Sequence, residues 1–192
     1  MKEIRLHGRG GQGAVTAAQL LAAAAFEERK FVQSFASFGM ERRGAPVIAF
    51  TRIDEKPIET RGMVQNPGYL ILLDPSVLNF PNTFTGLKPG GVVLINSTRS
   101  AFEIMKEMRS LDGKVFTLDA TQISVTLFGQ TSIPFTNVIM VSAFSKVTGM
   151  VKIESIIKVL PDFFSPKTLK KNRRAAKLGY EGMKEILTRS RR

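Results

Sequence analysis

The sequence predicts an α/β fold: a three-layer sandwich around a mostly parallel, Rossmann-like sheet, closed by C-terminal helices. Three observations lead there. Strand-like and helix-like stretches alternate along the chain, as in βαβ units. The run Tyr69-Leu70-Ile71-Leu72-Leu73 is apolar throughout, which suits a strand buried on both faces. Polar breaks fall where strands stop, at Gly8-Arg9-Gly10, Asp74-Pro75-Ser76, Asn96-Ser97 and Asp119. In an open parallel sheet the C-terminal strand ends form the ligand edge. These separate segments are therefore expected to converge in space.

The elements follow in order. Ile4 and Leu6 alternate with charged neighbours, so residues 3–6 read as a strand. Residues 14–29 are the best helix former in the chain. Ala14, Ala18, Leu21, Ala22 and Ala25 fall on one face, small enough to sit close to a sheet. Residues 31–35 and 46–53 read as strands joined by a loop over residues 36–44, and residues 56–60 as a short extension or hairpin arm. After the strand at residues 69–73, Pro89-Gly90-Gly91 turns the chain into another at residues 92–95. A helix over residues 99–110 and a strand over residues 114–118 come next. Asp119 with Gln122 three positions on resembles a capping box that opens a helix toward Phe128. Residues 129–134 break the chain.

Residues 137–147 are mostly apolar, which predicts a helix buried on most sides. Ile153, Ile156, Ile157 and Leu160 form an i, i+3, i+4, i+7 stripe, and Pro161 is expected to bend or end that helix. Residues 167–188 predict a last, basic helix with Leu169, Ala176, Tyr180, Met183 and Leu187 turned inward. Gly179 and Gly182 weaken it by about 1 kcal/mol each relative to alanine, so it is expected to lean on a partner surface.

Composition narrows the function. The chain has 192 residues with 43% hydrophobic and 23% charged residues, which fits one globular domain over residues 1–192. It has no Cys and a single His, so neither a thiolate-held iron–sulfur cluster nor a Cys- or His-rich metal site belongs to this chain alone. There is no apolar signal core and no run near the roughly 18 residues of a spanning helix, so a cytoplasmic location without membrane contact is expected. The net charge is +12, and from Ser165 onward ten Lys/Arg stand against two Asp/Glu. Such a surface suits nucleic acid, an acidic protein or an anionic cofactor. Lys170-Lys171-Asn172-Arg173-Arg174 has few interleaved aromatics and no nucleic-acid motif, so a solvated helix face or a subunit contact is the better reading.

The stretch richest in chemistry is His7-Gly8-Arg9-Gly10-Gly11-Gln12-Gly13. Glycines let the backbone turn sharply and approach another group closely. At a helix start, outward-pointing amides and the helix dipole suit a phosphate, a carboxylate or an acidic partner. Gly8, Gly10 and Gly13 match G-x-G-x-x-G, but the acid that holds ribose hydroxyls in dinucleotide folds is missing from Phe31-Val32-Gln33-Ser34-Phe35. Gln12 adds a side-chain amide to the loop. A stand-alone nucleotide- or dinucleotide-binding protein remains the alternative, and a tight turn without any ligand remains open too. Glu41-Arg42-Arg43-Gly44 places two adjacent guanidinium groups on a loop one strand away, suited to bidentate contact with phosphate or carboxylate. No nucleophile–base pair and no paired carboxylates are visible. His7 is a possible acid or base, although a lone His is more often structural. The chain reads as a binding subunit and not as a complete enzyme, with no catalytic residue of its own.

Taken together, these motifs resemble the gamma subunit of 2-oxoacid:ferredoxin oxidoreductases, most closely those acting on pyruvate. The resemblance rests on Gly8-Arg9-Gly10-Gly11-Gln12-Gly13 and on Ser37-Phe38-Gly39-Met40-Glu41-Arg42-Arg43-Gly44-Ala45-Pro46-Val47. It continues in Asp74-Pro75-Ser76, Asn137, Phe144-Ser145-Lys146-Val147-Thr148-Gly149, and Asn172 with Ala175 and Gly179-Tyr180-Glu181. The resemblance implies a heterotetramer with alpha, beta and delta subunits that converts a 2-oxoacid and coenzyme A to acyl-CoA, CO₂ and reduced ferredoxin. Thiamine diphosphate, magnesium and iron–sulfur clusters would lie on the other subunits. It implies a role for this chain in coenzyme A binding and in covering the active site. The candidate binding residues are Gly8, Arg9, Gly10, Gly11, Gln12, Gly13, Glu41, Arg42, Arg43, Gly44 and Asn137. Which 2-oxoacid is used (pyruvate, 2-ketoisovalerate or 2-oxoglutarate) is left open.

Overall fold

The computed structural model describes residues 1–37, 46–80, 82–108 and 111–189, with side chains as far as Met183. Six strands form one sheet in the order β2-β3-β1-β4-β5-β6. They are β1 (Lys2–Arg9), β2 (Phe31–Ser37), β3 (Pro46–Asp54), β4 (Tyr69–Leu72), β5 (Gly91–Asn96) and β6 (Gly113–Leu118). β1, β4, β5 and β6 are parallel neighbours, and β3 runs antiparallel between β1 and β2. The helices are α1 (Ala14–Glu27), α2 (Ala101–Glu107), α3 (Ala120–Phe128), α4 (Asn137–Thr148), α5 (Ile153–Phe163) and α6 (Pro166–Arg189). The expected α/β sandwich is the observed one.

Alternation along the strands sends side chains to two cores. Ile4, Leu6, Ile71, Leu94 and Leu118 point to the thicker layer, where they meet the alanine face of α1 together with α4, α5 and α6. Leu70, Leu72, Val93, Ile95 and Val115 point the other way, to Val77 of a 3₁₀ turn at Pro75–Asn79 and Ile104 of α2. The alanines of α1 let its axis approach the sheet closely enough for Thr51 Oγ1 of β3 to donate to the Ala18 carbonyl at 2.9 Å.

Several boundaries differ from expectation. β1 runs on to Arg9, because each of its residues keeps a partner on β3. α1 ends at Glu27, and Arg29 adopts a left-handed φ of 62°. Residues 56–60 are not a strand. Their carbonyls serve side chains instead: Ile58 accepts from Gln33, and Thr60 from Arg52. Arg52 is 2% exposed, paired with Glu3 at 3.2 Å and set over the Phe35 ring, so one cation ties β3 to both its neighbours. α2 is shorter than expected and starts with a reciprocal capping box between Ser100 and Glu103. Asp119 does cap α3, accepting from the Gln122 amide at 2.8 Å.

α5 does not end at Pro161 but continues to Phe163. Proline this near a C-terminus removes only one bond of the last turn, and Leu160 and Val159 bury the helix against α1 and α6. α6 leans on α4 of the same chain. Asn172, Ala175, Ala176, Gly179 and Met183 form its inner face, and Gly179 lies against the Ile139 carbonyl, where no Cβ fits. Leu169 and Tyr180 are half-buried on its flanks, and the Leu187 side chain lies outside the described residues.

Candidate functional site

The parallel strands β1, β4, β5 and β6 end on one edge, and the expected polar breaks do converge there. Asn96 at the end of β5 donates from Nδ2 to the Leu73 carbonyl at 2.9 Å and to Thr121 Oγ1 at 3.0 Å. Its Oδ1 accepts the amides of Ala120 and Thr121. Asp74, just past β4, accepts the Ser76 amide at 2.8 Å and the Ser76 hydroxyl at 2.5 Å through Oδ1, and Gln12 Nε2 through Oδ2.

Gln12 is 5% exposed and braces the glycine turn from within. Its Oε1 accepts the Arg9 backbone amide at 2.7 Å, and the Gln12 backbone N–H donates to the Arg9 carbonyl at 3.0 Å. The side-chain amide that Gln12 adds to the loop is thus spent on Arg9 and Asp74. Gly11 and Gly13 hold φ of 95° and 77°, values that favour glycine. Gly13 is the residue before α1, and no side chain caps that helix. The amides of Gly10, Gly11 and Gly13 have no hydrogen-bond acceptor among the described residues.

Asn137 opens α4 and is brought to the same place. A Cβ on Gly13 would lie 2.6 Å from Asn137 Nδ2. Asn137 is 8% exposed, its Oδ1 accepts the Val138 amide at 2.9 Å, and Nδ2 makes no bond to the described residues. α4 too has no side chain of its preceding residue capping it. Two helix N-termini thus meet with their positive ends together, whereas those of α2 and α3 are closed by Ser100 and Asp119.

Beside this junction lies a cleft of about 410 Å³ lined by Arg9, Gly10, Gln12, Asp74, Ser132, Ile133 and Pro134. Residues 132–134 were read in the sequence only as a break. They form the wall opposite the glycine turn, with Ile133 Cδ1 placed 2.9 Å from where a Gly11 Cβ would sit. Ser124 fixes this wall by accepting the Phe135 amide at 2.9 Å. No local signal marks residues 132–134, because their role comes from folding back on a turn more than a hundred residues earlier.

Gly8 lies in β1 behind the turn, where Ala14 Cβ, Gln12 and Leu73 leave room for little more than hydrogen. Glu41, Arg42, Arg43 and Gly44 lie outside the described residues. Their flanks are placed: β2 ends at Ser37, and β3 begins at Pro46, which is paired with Arg9. His7 is not among the residues that line the cleft. It is 5% exposed, and burial, helped by the Arg5 charge, pulls its pKa down to about 3. Arg5 donates to the carbonyls of Thr83 and Thr85 and is itself lowered by burial. Among the described residues there is no cluster of three His, Asp or Glu able to hold a metal, and no helix long and apolar enough to cross a membrane.

The fold and this edge define a class: an open α/β sheet with an uncapped glycine turn at the carboxyl ends of its parallel strands and, among the described residues, no nucleophile–base pair beside it. The family model for pyruvate ferredoxin/flavodoxin oxidoreductase matches residues 3–182, and the chain belongs to that family. It is 48% identical over 181 residues to the pyruvate/ketoisovalerate oxidoreductases common subunit gamma of Pyrococcus furiosus, covering 94% of this chain and 96% of that one. The crystal structure of pyruvate oxidoreductase subunit PORC from Thermotoga maritima matches with a TM-score of 0.81 at 36% identity, covering 94% and 96%. The 2-oxoglutarate:ferredoxin oxidoreductase from Magnetococcus marinus, solved with 2-oxoglutarate, coenzyme A and succinyl-CoA, shares the fold alone. Its TM-score is 0.76 at 18% identity, and the match covers 96% of this chain and 31% of that one.

Proposed function

We propose that this chain is the gamma subunit of a multi-subunit pyruvate:ferredoxin oxidoreductase and contributes to coenzyme A binding and to covering the active site. The overall reaction converts pyruvate, coenzyme A and oxidised ferredoxin to acetyl-CoA, CO₂ and reduced ferredoxin. Alpha, beta and delta subunits would carry thiamine diphosphate, magnesium and the iron–sulfur clusters, and the chain itself has no Cys to hold a cluster. The names of its full-length relatives support pyruvate as substrate, and the Pyrococcus name adds ketoisovalerate.

One observation carries the coenzyme A role: the uncapped N-termini of α1 and α4 meet at Gly13 and Asn137 beside an open cleft. Coenzyme A carries phosphates, and amides at positive helix ends suit their oxygens. In this reading the amides of Gly10, Gly11 and Gly13 and the Asn137 Nδ2 face a phosphate. Gly8 and Gln12 hold the turn in shape, and Arg9 lines the cleft. Arg42 and Arg43, flanked in sequence by Glu41 and Gly44, add cations from the segment that leads into β3, whose first residue Pro46 pairs with Arg9. The dinucleotide alternative loses ground, because β2 carries no acid to hold a ribose.

The test is coenzyme A affinity of the assembled enzyme. Changing Arg42 and Arg43 together to Ala is expected to raise the coenzyme A KM by about tenfold or more, with the pyruvate KM unchanged. Unchanged affinity removes both from the site.

A further inference from the structure

We infer that the outer face of α6 is a docking surface for an acidic patch on another chain of the same assembly. On this helix Lys167, Lys170, Lys171, Arg173, Arg174 and Lys177 are all exposed, whereas Asn172, Ala175, Ala176, Gly179 and Met183 face inward. At about 100° per residue the six cations occupy the arc opposite the buried one. They span about 15 Å of helix at roughly 1.5 Å per residue. None forms an ion pair with the described residues. Three exposed cations elsewhere are answered, Lys158 by Glu27, Arg99 by Glu107 and Lys88 by Glu3, and those left without an ion pair among the described residues, such as Lys2, Lys56 and Lys114, are scattered over separate elements instead of sharing one face. Six like charges side by side repel one another, and a row of carboxylates relieves that repulsion.

The chemistry of the face selects its occupant. Single-stranded nucleic acid binds where aromatic rings are free to stack on bases. Here Phe128 lies beneath Lys171 at 5.8 Å, and Tyr180 beneath Lys146 at 5.2 Å. An anionic membrane surface holds a helix that also inserts large apolar side chains. The exposed large apolar residues of this chain, such as Phe26, Phe102 and Phe135, are not on the described part of α6. What remains is a polar, carboxylate-bearing protein surface. The inference rests on the subunit reading above, under which other chains are at hand.

The experiment uses the enzyme purified from its native cells. Its lysines are acetylated with a water-soluble N-hydroxysuccinimide ester, in the complex and in the separately purified chain. Carboxylate–lysine contacts in the complex are captured with a carbodiimide. Lys170, Lys171 and Lys177 are expected to react at least about fivefold more slowly in the complex and to cross-link to Asp or Glu of another chain. The variant Lys170→Glu/Arg174→Glu/Lys177→Glu, co-expressed with the other chains, is expected to assemble about tenfold more weakly, with a flatter salt dependence. Co-purification with equal labelling in both states overturns this surface and leaves the subunit reading standing. Elution of the native chain alone overturns the subunit reading and the surface with it. Equal labelling, together with tight binding of a 20-base-pair duplex that the triple variant abolishes, overturns the inference in favour of nucleic acid.

Discussion

Gln12 and Asp74, 62 positions apart, are joined by a hydrogen bond from Gln12 Nε2 to Asp74 Oδ2, and Gln12 Oε1 holds the Arg9 amide at 2.7 Å. One buried side chain thus fixes the glycine turn to the end of β4. It gives the turn a shape before any ligand arrives.

Removing that brace has a measurable cost. Gln12→Ala strips a donor from Asp74 and an acceptor from the Arg9 amide, at about 2 kcal/mol for partly buried groups. For a chain of this size the melting temperature is expected to drop by about 4–8 °C. Coenzyme A affinity of the assembled enzyme is expected to weaken along with it, because the turn loses its fixed geometry. An unchanged melting curve removes Gln12 as the brace.

Gly13 and Asn137 should behave as a coupled pair. Gly13→Ala places a methyl 2.6 Å from Asn137 Nδ2, on a backbone at φ 77°. The left-handed conformation alone costs about 1 kcal/mol for alanine, and the clash adds to it. Asn137→Ala relieves the clash but not the backbone strain. A double-mutant cycle by urea denaturation is expected to show coupling of about 1 kcal/mol, whereas additive losses contradict the contact.

The two glycines of α6 are expected to answer oppositely to alanine. At Gly179 the methyl meets the Ile139 backbone, which cannot move without shifting α4. Overpacking there outweighs the helix-propensity gain, for a net loss of about 2 kcal/mol. At Gly182 the nearest atom is the flexible end of Leu118 at 3.2 Å, so the change is neutral or stabilising by up to about 1 kcal/mol. Chemical denaturation of the two single variants checks both signs.

His7 sets a pH dependence of stability. Its pKa falls from the ordinary 6.5 to about 3 on folding, because burial, and then the Arg5 charge, disfavour the imidazolium. Between those values the unfolded chain binds the proton and the fold does not. Stability is therefore complete above about pH 6.5 and falls by about 1.4 kcal/mol per unit as pH drops through that window. His7→Leu is expected to flatten the slope between pH 7 and 5. That range lies above the pH at which Glu28, Asp54 and Glu103, all with lowered carboxyl pKa values, lose their contributions. An equal slope in both proteins means that His7 charges freely in the fold.

Much of this was legible beforehand because the signals are local. Continuous apolar runs marked β4 and β5, alanine spacing marked α1, and the glycine turn between β1 and α1 marked the head of the site. Asn137 was also legible, through its place in the family's pattern. Other features were not. The antiparallel insertion of β3 between β1 and β2 leaves no trace in the periodicity of either strand, since pairing direction does not change which residues face the core. The inward use of Gln12 was hidden because its partner, Asp74, is remote in sequence.

By itself the sequence determined the layered α/β architecture, the order of its elements, the absence of thiolate chemistry and the residues from which an anion site can be built. These follow from propensity, periodicity and composition, which neighbouring residues settle among themselves. Tertiary structure alone decided which of those residues spend their polar atoms on one another. Gln12 and Asp74 close on each other, whereas the Gly13 amide and the Asn137 Nδ2 have no partner among the described residues. Hydrogen bonding is satisfied by proximity in space, and the fold sets that proximity.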